Sequence, residues 1–215
     1  MVQTHHRRGP SALIELSAAL ASGASRKLRL ALEKAGENED PGQVEEVILQ
    51  SYLFLGYPAA LNAFALWREI TGREAGEGVP DEWNAWQDRG EDVCRTVYGG
   101  QYDGLRRNVK ALHPDMERWM VVEGYGKVLG RPGLDLPTRE LCIVALLAVL
   151  RTPRQLYSHL RGALSAGARH EEVEEALRSA DGHLDEEGRV EMRAVWERVR
   201  GRAPSSDTSD PLGTH

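Results

Sequence analysis

Seven histidines, two cysteines and a scatter of acidic helices are the side chains of this chain that could do chemistry. Most stand where a bland role suffices. His5, His6 and His215 lie in the tails, and His113 precedes Pro114 in a loop. Cys94 and Cys142 form no CxxC and no zinc-ligand spacing, which fits reduced thiols in a cytoplasmic protein. Glu171-Glu172, Glu174-Glu175 and Glu186-Glu187 read as a solvated face, and no His/Asp/Glu cluster has metal-ligand spacing, so neither a metal nor a cofactor is expected. His159 is the exception. It sits among Leu156, Leu160 and Ala163, where a histidine is either a satisfied core residue or an acid–base group. Glu140, in the first turn of an apolar helix, favours the helix dipole whether or not it also does chemistry. Arg139 and Arg161 read as salt-bridge residues or as cations for a substrate. Tyr157 reads as a packing residue able to donate a hydrogen bond. Glu123 and Lys127 fit an i, i+4 ion pair.

The elements that must position these residues are helices. No run of alternating Val, Ile, Thr or Tyr bounded by turn residues is present. Val44, Val47, Ile48, Ser51, Tyr52 and Leu55 share one helical face, opened by Asp40-Pro41 and ended by Gly56. Tyr57-Pro58 opens the next helix, through Leu61, Phe64 and Trp67. The aromatic and aliphatic residues from Val44 to Phe64 read as core or subunit interface. Trp83, Trp86, Val93, Cys94 and Val97 predict one amphipathic helix in a polar, glycine-rich middle, and Tyr98 to Tyr102 a turn. Asp135 and Pro137 start a helix through Leu141, Val144 and Ala148. Thr152-Pro153 repeats the cap-plus-proline signal and opens the helix that carries His159, which Gly167 stops. Two more helices follow, from about Glu171 and about Asp185.

The chain contains an internal repeat. Leu28 to Gly36 is echoed by His159 to Gly167, ending in Ala-Gly both times. Val44-Glu45-Glu46-Val47-Ile48 is echoed by Val173-Glu174-Glu175-Ala176-Leu177. An apolar helix precedes each copy, Leu13 to Ala21 and Leu141 to Leu150. Such a unit buries its apolar face only against another unit, so the halves are expected to pack together or on another subunit. The organisation read from this is a disordered tail over 1–10, a first, degenerate unit over 11–70, a connecting segment with a helix over 71–115, a second unit over 116–200 and a disordered tail over 201–215.

Composition narrows the partners. Hydrophobic residues make up 41% and charged residues 28%, with a net charge of −6. A mildly acidic chain draws no long-range attraction from a phosphate backbone, so nucleic acid is not an expected partner. The longest uninterrupted apolar run, Leu141 to Leu150, falls short of the ~20 residues a membrane span needs, and no signal peptide is read at the N-terminus.

Two stretches carry a family resemblance: Glu46 to Phe64, and Gly124-Tyr125-Gly126-Lys127-Val128-Leu129-Gly130-Arg131-Pro132-Gly133-Leu134-Asp135-Leu136-Pro137-Thr138-Arg139-Glu140-Leu141, continued by His159 to Leu164 and Glu171 to Val173. They resemble the carboxymuconolactone decarboxylase family, within the alkylhydroperoxidase-D-like superfamily. The resemblance implies an all-α helical bundle built from two repeated helical units, in a homo-oligomer. Peroxidase members of that superfamily share a Glu, eleven residues, Cys, two residues, Cys, three residues, His pattern. On this chain Glu140 and His159 take the acid and histidine positions, while Thr152 and Gln155 take the cysteine positions. A dithiol peroxidase needs a thiolate to attack and a thiol to resolve, which Thr and Gln do not supply. The decarboxylase-like members likewise keep only the Glu and His. The resemblance therefore implies a Glu140–His159 proton relay acting on a small carboxylated or lactone-type metabolite, with Arg161, Arg139 and Tyr157 as substrate-binding candidates. A non-catalytic binding or scaffold protein is the alternative outside enzymes. The first unit has Leu28 or Arg29 where His159 would stand and no acid near Pro10, so one site per chain is expected.

Overall fold

The computed structural model describes residues 11–78 and 82–201. The tails at 1–10 and 202–215, with His5, His6, Pro10 and His215, lie outside the described residues. Every regular element among those described is helical: α1 (Ala12–Ser22), α2 (Ser25–Asn38), α3 (Pro41–Thr71), α4 (Trp83–Tyr98), α5 (Tyr102–Leu112), α6 (Pro114–Trp119), a π-helical segment (Met120–Leu129), α7 (Leu136–Val149), α8 (Pro153–Ser165), α9 (His170–Asp181) and α10 (Glu186–Arg200), with a short 3-10 turn at Gly99–Gln101. The fold is an all-α bundle.

The start signals act as their chemistry dictates. The Asp40 carboxylate accepts from the Gly42 and Gln43 amides at 2.9 and 3.2 Å. Asp135 accepts from the Thr138 amide at 2.8 Å and Asp185 from the Gly188 amide at 2.8 Å. Each satisfies amides that have no partner within the helix. Thr152 departs from the expectation of a cap. Its hydroxyl donates back to the Leu147 carbonyl at 3.3 Å and makes no cap bond to α8. Gly56 breaks α3 in two with φ 78° and ψ 167°, a conformation open to glycine, just where the Gly56-Tyr57-Pro58 sequence divides one helix from the next. By length and composition α3 is the one described helix apolar enough to cross a membrane. The break leaves two shorter rods at an angle.

The core is centred on α1 and α7, packed against each other. Both are buried along nearly their whole length, and Ser17 on α1 donates to the Cys142 carbonyl on α7 at 2.7 Å. Around this pair the two halves repeat an arrangement: α1 packs on α2 and α3, and α7 packs on α8 and α9. Trp67 Nε1 donates to Glu45 at 3.1 Å, and Trp196 Nε1 donates to Glu174 at 3.5 Å, each across a separation of 22 residues. Arg68 and Arg200 reinforce the same two carboxylates at 2.6 and 3.4 Å.

The middle of the chain holds more structure than the one helix expected of it. α4 lies along the π-helical segment, and α5 and α6 follow the turn. The α4 contact is backbone on backbone. A Cβ on Gly126 would sit 1.9 Å from the Trp86 carbonyl oxygen, and one on Gly90 would sit 2.2 Å from that of Val121. Only glycine at both positions allows this approach, which also sets α4 against α8 and hence beside His159.

Candidate active site

Glu140 lies in the first part of α7 and is completely buried. His159 lies midway along α8, its side chain 10% exposed. The two helices pack directly, and the Glu140 Oε2 to His159 Nδ1 distance is 2.7 Å. Gly162 makes this possible. A Cβ there would sit 3.1 Å from Glu140 Oε2 and 2.7 Å from Val97 Cγ1 of α4. A larger residue one turn beyond His159 would therefore occupy the carboxylate's place. The Phe54 ring of α3 meets the imidazole edge-on, with centroids 5.9 Å apart and planes at 78°.

The arrangement orients the imidazole. A carboxylate on Nδ1 accepts the proton there and fixes the ring, leaving Nε2 as the nitrogen free to exchange a proton with another molecule. The side chain keeps 10% exposure. The second carboxylate oxygen, Glu140 Oε1, is buried and has no hydrogen-bond partner. A buried carboxylate oxygen left without a protein donor is costly.

The other candidates lie elsewhere. Arg139 is fully buried, but its guanidinium is committed to a network at the junction of α3, the 130–135 loop and α7. It donates to Glu46 at 2.7 Å, to Gln50 Oε1 at 3.3 Å, and to the carbonyls of Arg131, Pro132 and Leu134 at 3.2, 3.4 and 3.2 Å. It ties α3 to the 130–135 loop and α7, and all three of its nitrogens are engaged there. Neighbours in sequence are about 100° apart around a helix, so Arg139 points away from Glu140's partner. Likewise, Tyr157 and Arg161 stand about 200° around α8 from His159. The Tyr157 ring is flanked by the Arg161 and Arg198 guanidiniums at 5.8 and 4.5 Å, and Arg161 donates to Gln101 at 3.3 Å.

Sequence reasoning missed Tyr98 and Tyr125. Their hydroxyls are 2.7 Å apart and their rings meet edge-on at 5.8 Å. Burial, first of all, raises both phenols above their usual value, and the nearby Glu140 charge adds to it. Nothing in a turn-like Tyr98-Gly99-Gly100 or in the Gly124-Tyr125-Gly126 run signals such a pair. Both cysteines are buried, and burial pushes the Cys94 thiol up to about 12 and the Cys142 thiol higher still. Neither is a thiolate near neutral pH. A surface cleft of about 710 Å³ runs between α1, α2, α7 and α9 but reaches neither Glu140 nor His159. Its walls carry Glu15, Glu39, Glu171, Glu172 and Glu175, a poor setting for an anionic substrate.

Residues 114–186, which contain both Glu140 and His159, match the model of the carboxymuconolactone decarboxylase family. This segment belongs to that family. The chain is also 29% identical over 151 residues to peroxisomal protein 2 of Schizosaccharomyces pombe, covering 66% of this chain and 68% of that protein. It is 32% identical over 93 residues to nitrosuccinic acid decarboxylase npaB of Metarhizium robertsii, covering 42% of this chain and 64% of that protein. The match thus spans less than two thirds of the decarboxylase's length.

Proposed function

We propose that this decarboxylase-family protein is an acid–base enzyme acting on a small carboxylated or lactone-type metabolite, with Glu140 and His159 as its proton-transfer pair. The observation that carries the reading is the 2.7 Å contact between the buried Glu140 carboxylate and Nδ1 of a histidine whose side chain keeps 10% exposure. In a decarboxylation the bond from carbon to the leaving carboxylate breaks and its electron pair stays on carbon or a conjugated oxygen. His159, protonated on both nitrogens, then delivers its Nε2 proton to that carbon while carbon dioxide leaves; Glu140 stabilises the imidazolium before the transfer and holds the Nδ1–H of the neutral ring after it, and Nε2 regains a proton from solvent. The relative named as a nitrosuccinic acid decarboxylase supports a small carboxylic acid as substrate. Neither Arg139 nor Arg161 stands ready to hold a second carboxylate, which favours a substrate anchored chiefly through its reacting end.

The reading extends to the assembly and history of the chain. The matched Trp–Glu bonds at equal separation favour a duplicated unit whose first copy serves as scaffold. Tyr57 and Leu61 on α3, each 62% exposed, are apolar side chains that a homo-oligomer in the cytoplasm would cover. The test is a panel of small carboxylic and lactone acids assayed for carbon dioxide release with the intact protein and with His159→Gln. General acid–base catalysis is worth about 10²–10⁴-fold, so a loss of that size in the folded variant supports the reading. Equal turnover by both proteins sinks it and favours the scaffold alternative.

A further inference from the structure

Phe54 stands in the last turn of the first rod of α3, two residues before the break at Gly56. α3 packs on α1 and α2, whereas the main neighbours of α8 are α4, α7, α9 and α10. The Phe54 ring nevertheless reaches the His159 imidazole and meets it edge-on, with centroids 5.9 Å apart and planes at 78°. Edge-to-face is a geometry that two rings prefer, so the contact holds the phenyl group against the imidazole. Phe54 is only partly buried, and the His159 side chain is close to fully so. Behind the imidazole the space is taken. Glu140 Oε2 lies 2.7 Å from Nδ1, and the point where a Cβ on Gly162 would stand is already 3.1 Å from that oxygen and 2.7 Å from Val97 Cγ1. The phenyl ring therefore stands where the histidine passes from core to surface.

We propose that Phe54 is a specificity-determining wall of the His159 site: its ring limits which molecules reach the imidazole and admits compact ones. The wall comes from α3, in the first half of the chain, which then lends the site a side chain as well as a scaffold. A phenyl group has no donor or acceptor with which to hold a polar substrate, so it selects by volume and shape. An apolar wall of this kind separates substrates by about 10–200-fold for each methylene that fits or fails to fit. The class of molecule that passes is a small acid or lactone with no branch beside the reacting carbon. That Phe54 shields His159 stands on the ring contact. That the shielded group meets a carboxylated or lactone-type metabolite rests on the function proposed above.

The experiment treats the full chain, Phe54→Ala and Phe64→Ala with diethyl pyrocarbonate at one fixed pH and follows each histidine by peptide mass. The reagent acylates an unprotonated imidazole nitrogen that it can reach. His113 is exposed and serves as the internal reference. Phe64 is the other phenylalanine of the chain, on the same helix beyond the break, and controls for a general loosening of α3. The His159 rate relative to His113 rises several-fold in Phe54→Ala and stays put in Phe64→Ala. Equal relative rates in the unaltered chain and folded Phe54→Ala overturn the proposal, and so does an equal rise in Phe64→Ala. If Phe54→Ala does not fold, Phe54→Leu replaces it, with the same sign and a smaller rise. With an acid that releases carbon dioxide in hand, the kcat/KM of its branched homologue relative to its own rises by about tenfold or more in Phe54→Ala. An unchanged ratio overturns the proposal. A faster reaction of His159 in a protein that releases no carbon dioxide from any acid upholds the wall while the proposed function fails, so the two ideas fall separately.

Discussion

The helices α1 to α3 and the helices α7 to α10 repeat the same carpentry with different contents. Each half has a buried central helix, two helices laid on it, and a tryptophan that ties the end of the set to a glutamate 22 residues back. At the position where α8 carries His159, α2 carries Leu28, which packs against the core. In α1 the buried polar side chain is Ser17, spent on a backbone carbonyl, whereas α7 buries a carboxylate with one oxygen unpaired. The difference teaches what the fold itself needs. The tryptophan–glutamate ties and the apolar faces occur in both sets of helices. The buried Glu–His pair occurs once among the described residues, and in the first set Leu28 packs against the core at the matching place.

The sharpest way to break this comparison is to write the first half's residue into the second. His159→Leu should cost stability, because it strands the fully buried Glu140, and its folded fraction should lose turnover by about 10²–10⁴-fold; Glu140→Gln should lose turnover to much the same extent. Steady-state rates beside a circular-dichroism melt check this, and a His159→Leu protein with full turnover would mean the two halves are equally inert. Next in size is the junction between the halves. Arg139→Met strands a Glu46 carboxylate that is only 14% exposed and leaves it to Arg131 at 3.1 Å. Breaking a buried pair costs about 3–5 kcal/mol, so the urea midpoint should fall steeply while the turnover of the folded fraction is kept. A loss of turnover without loss of stability would return Arg139 to the substrate.

The ties themselves come third. Trp67→Phe and Trp196→Phe each remove one hydrogen bond and some packing, about 1–2 kcal/mol by denaturant unfolding. Near-equal losses sharpen the case for a duplicated unit. Glu45 adds a pH signature on the first side. The Arg68 guanidinium, and then the Trp67 N–H, hold its carboxyl below the ordinary value of 4.5. A depressed folded-state value stabilises the protein above the unfolded value and is lost as pH falls through the folded one. Glu45→Gln should therefore flatten the acid side of the stability curve below about pH 4.5, read from melts across pH. The smallest effect is on the thiols. Iodoacetamide at neutral pH should label neither Cys94 nor Cys142 until the chain unfolds, by intact-mass measurement, and turnover should not change.

Much of the skeleton is legible in the order of the residues. Asp40-Pro41, Asp135 with Pro137, and Asp185 open helices because their carboxylates satisfy free amides locally, and Gly56 and Gly167 end them because local backbone conformation is a local property. Thr152 shows the limit of that logic, since its hydroxyl bonds a carbonyl of the preceding helix. The middle of the chain is harder to read. A π-helical segment is held in place by α4 pressing on Gly126, and no periodicity within residues 120–129 reports a neighbour's backbone.

The site divides the same way. Sequence by itself determined that Glu140 and His159 stand in the family's frame on two consecutive helices and that no cysteine takes either thiol position of that frame. It determined too that the echoed stretch Leu28 to Gly36 holds no histidine. Tertiary structure alone decided which side chains share a space. It turned Arg139 into the junction of the halves, put Tyr157 between two arginines and brought Tyr98 to Tyr125 across 27 residues of chain. The reason is physical. Capping and helical phase depend on neighbours within a turn, which spacing records, whereas a buried donor finds its acceptor through the packing of whole helices, which spacing does not record.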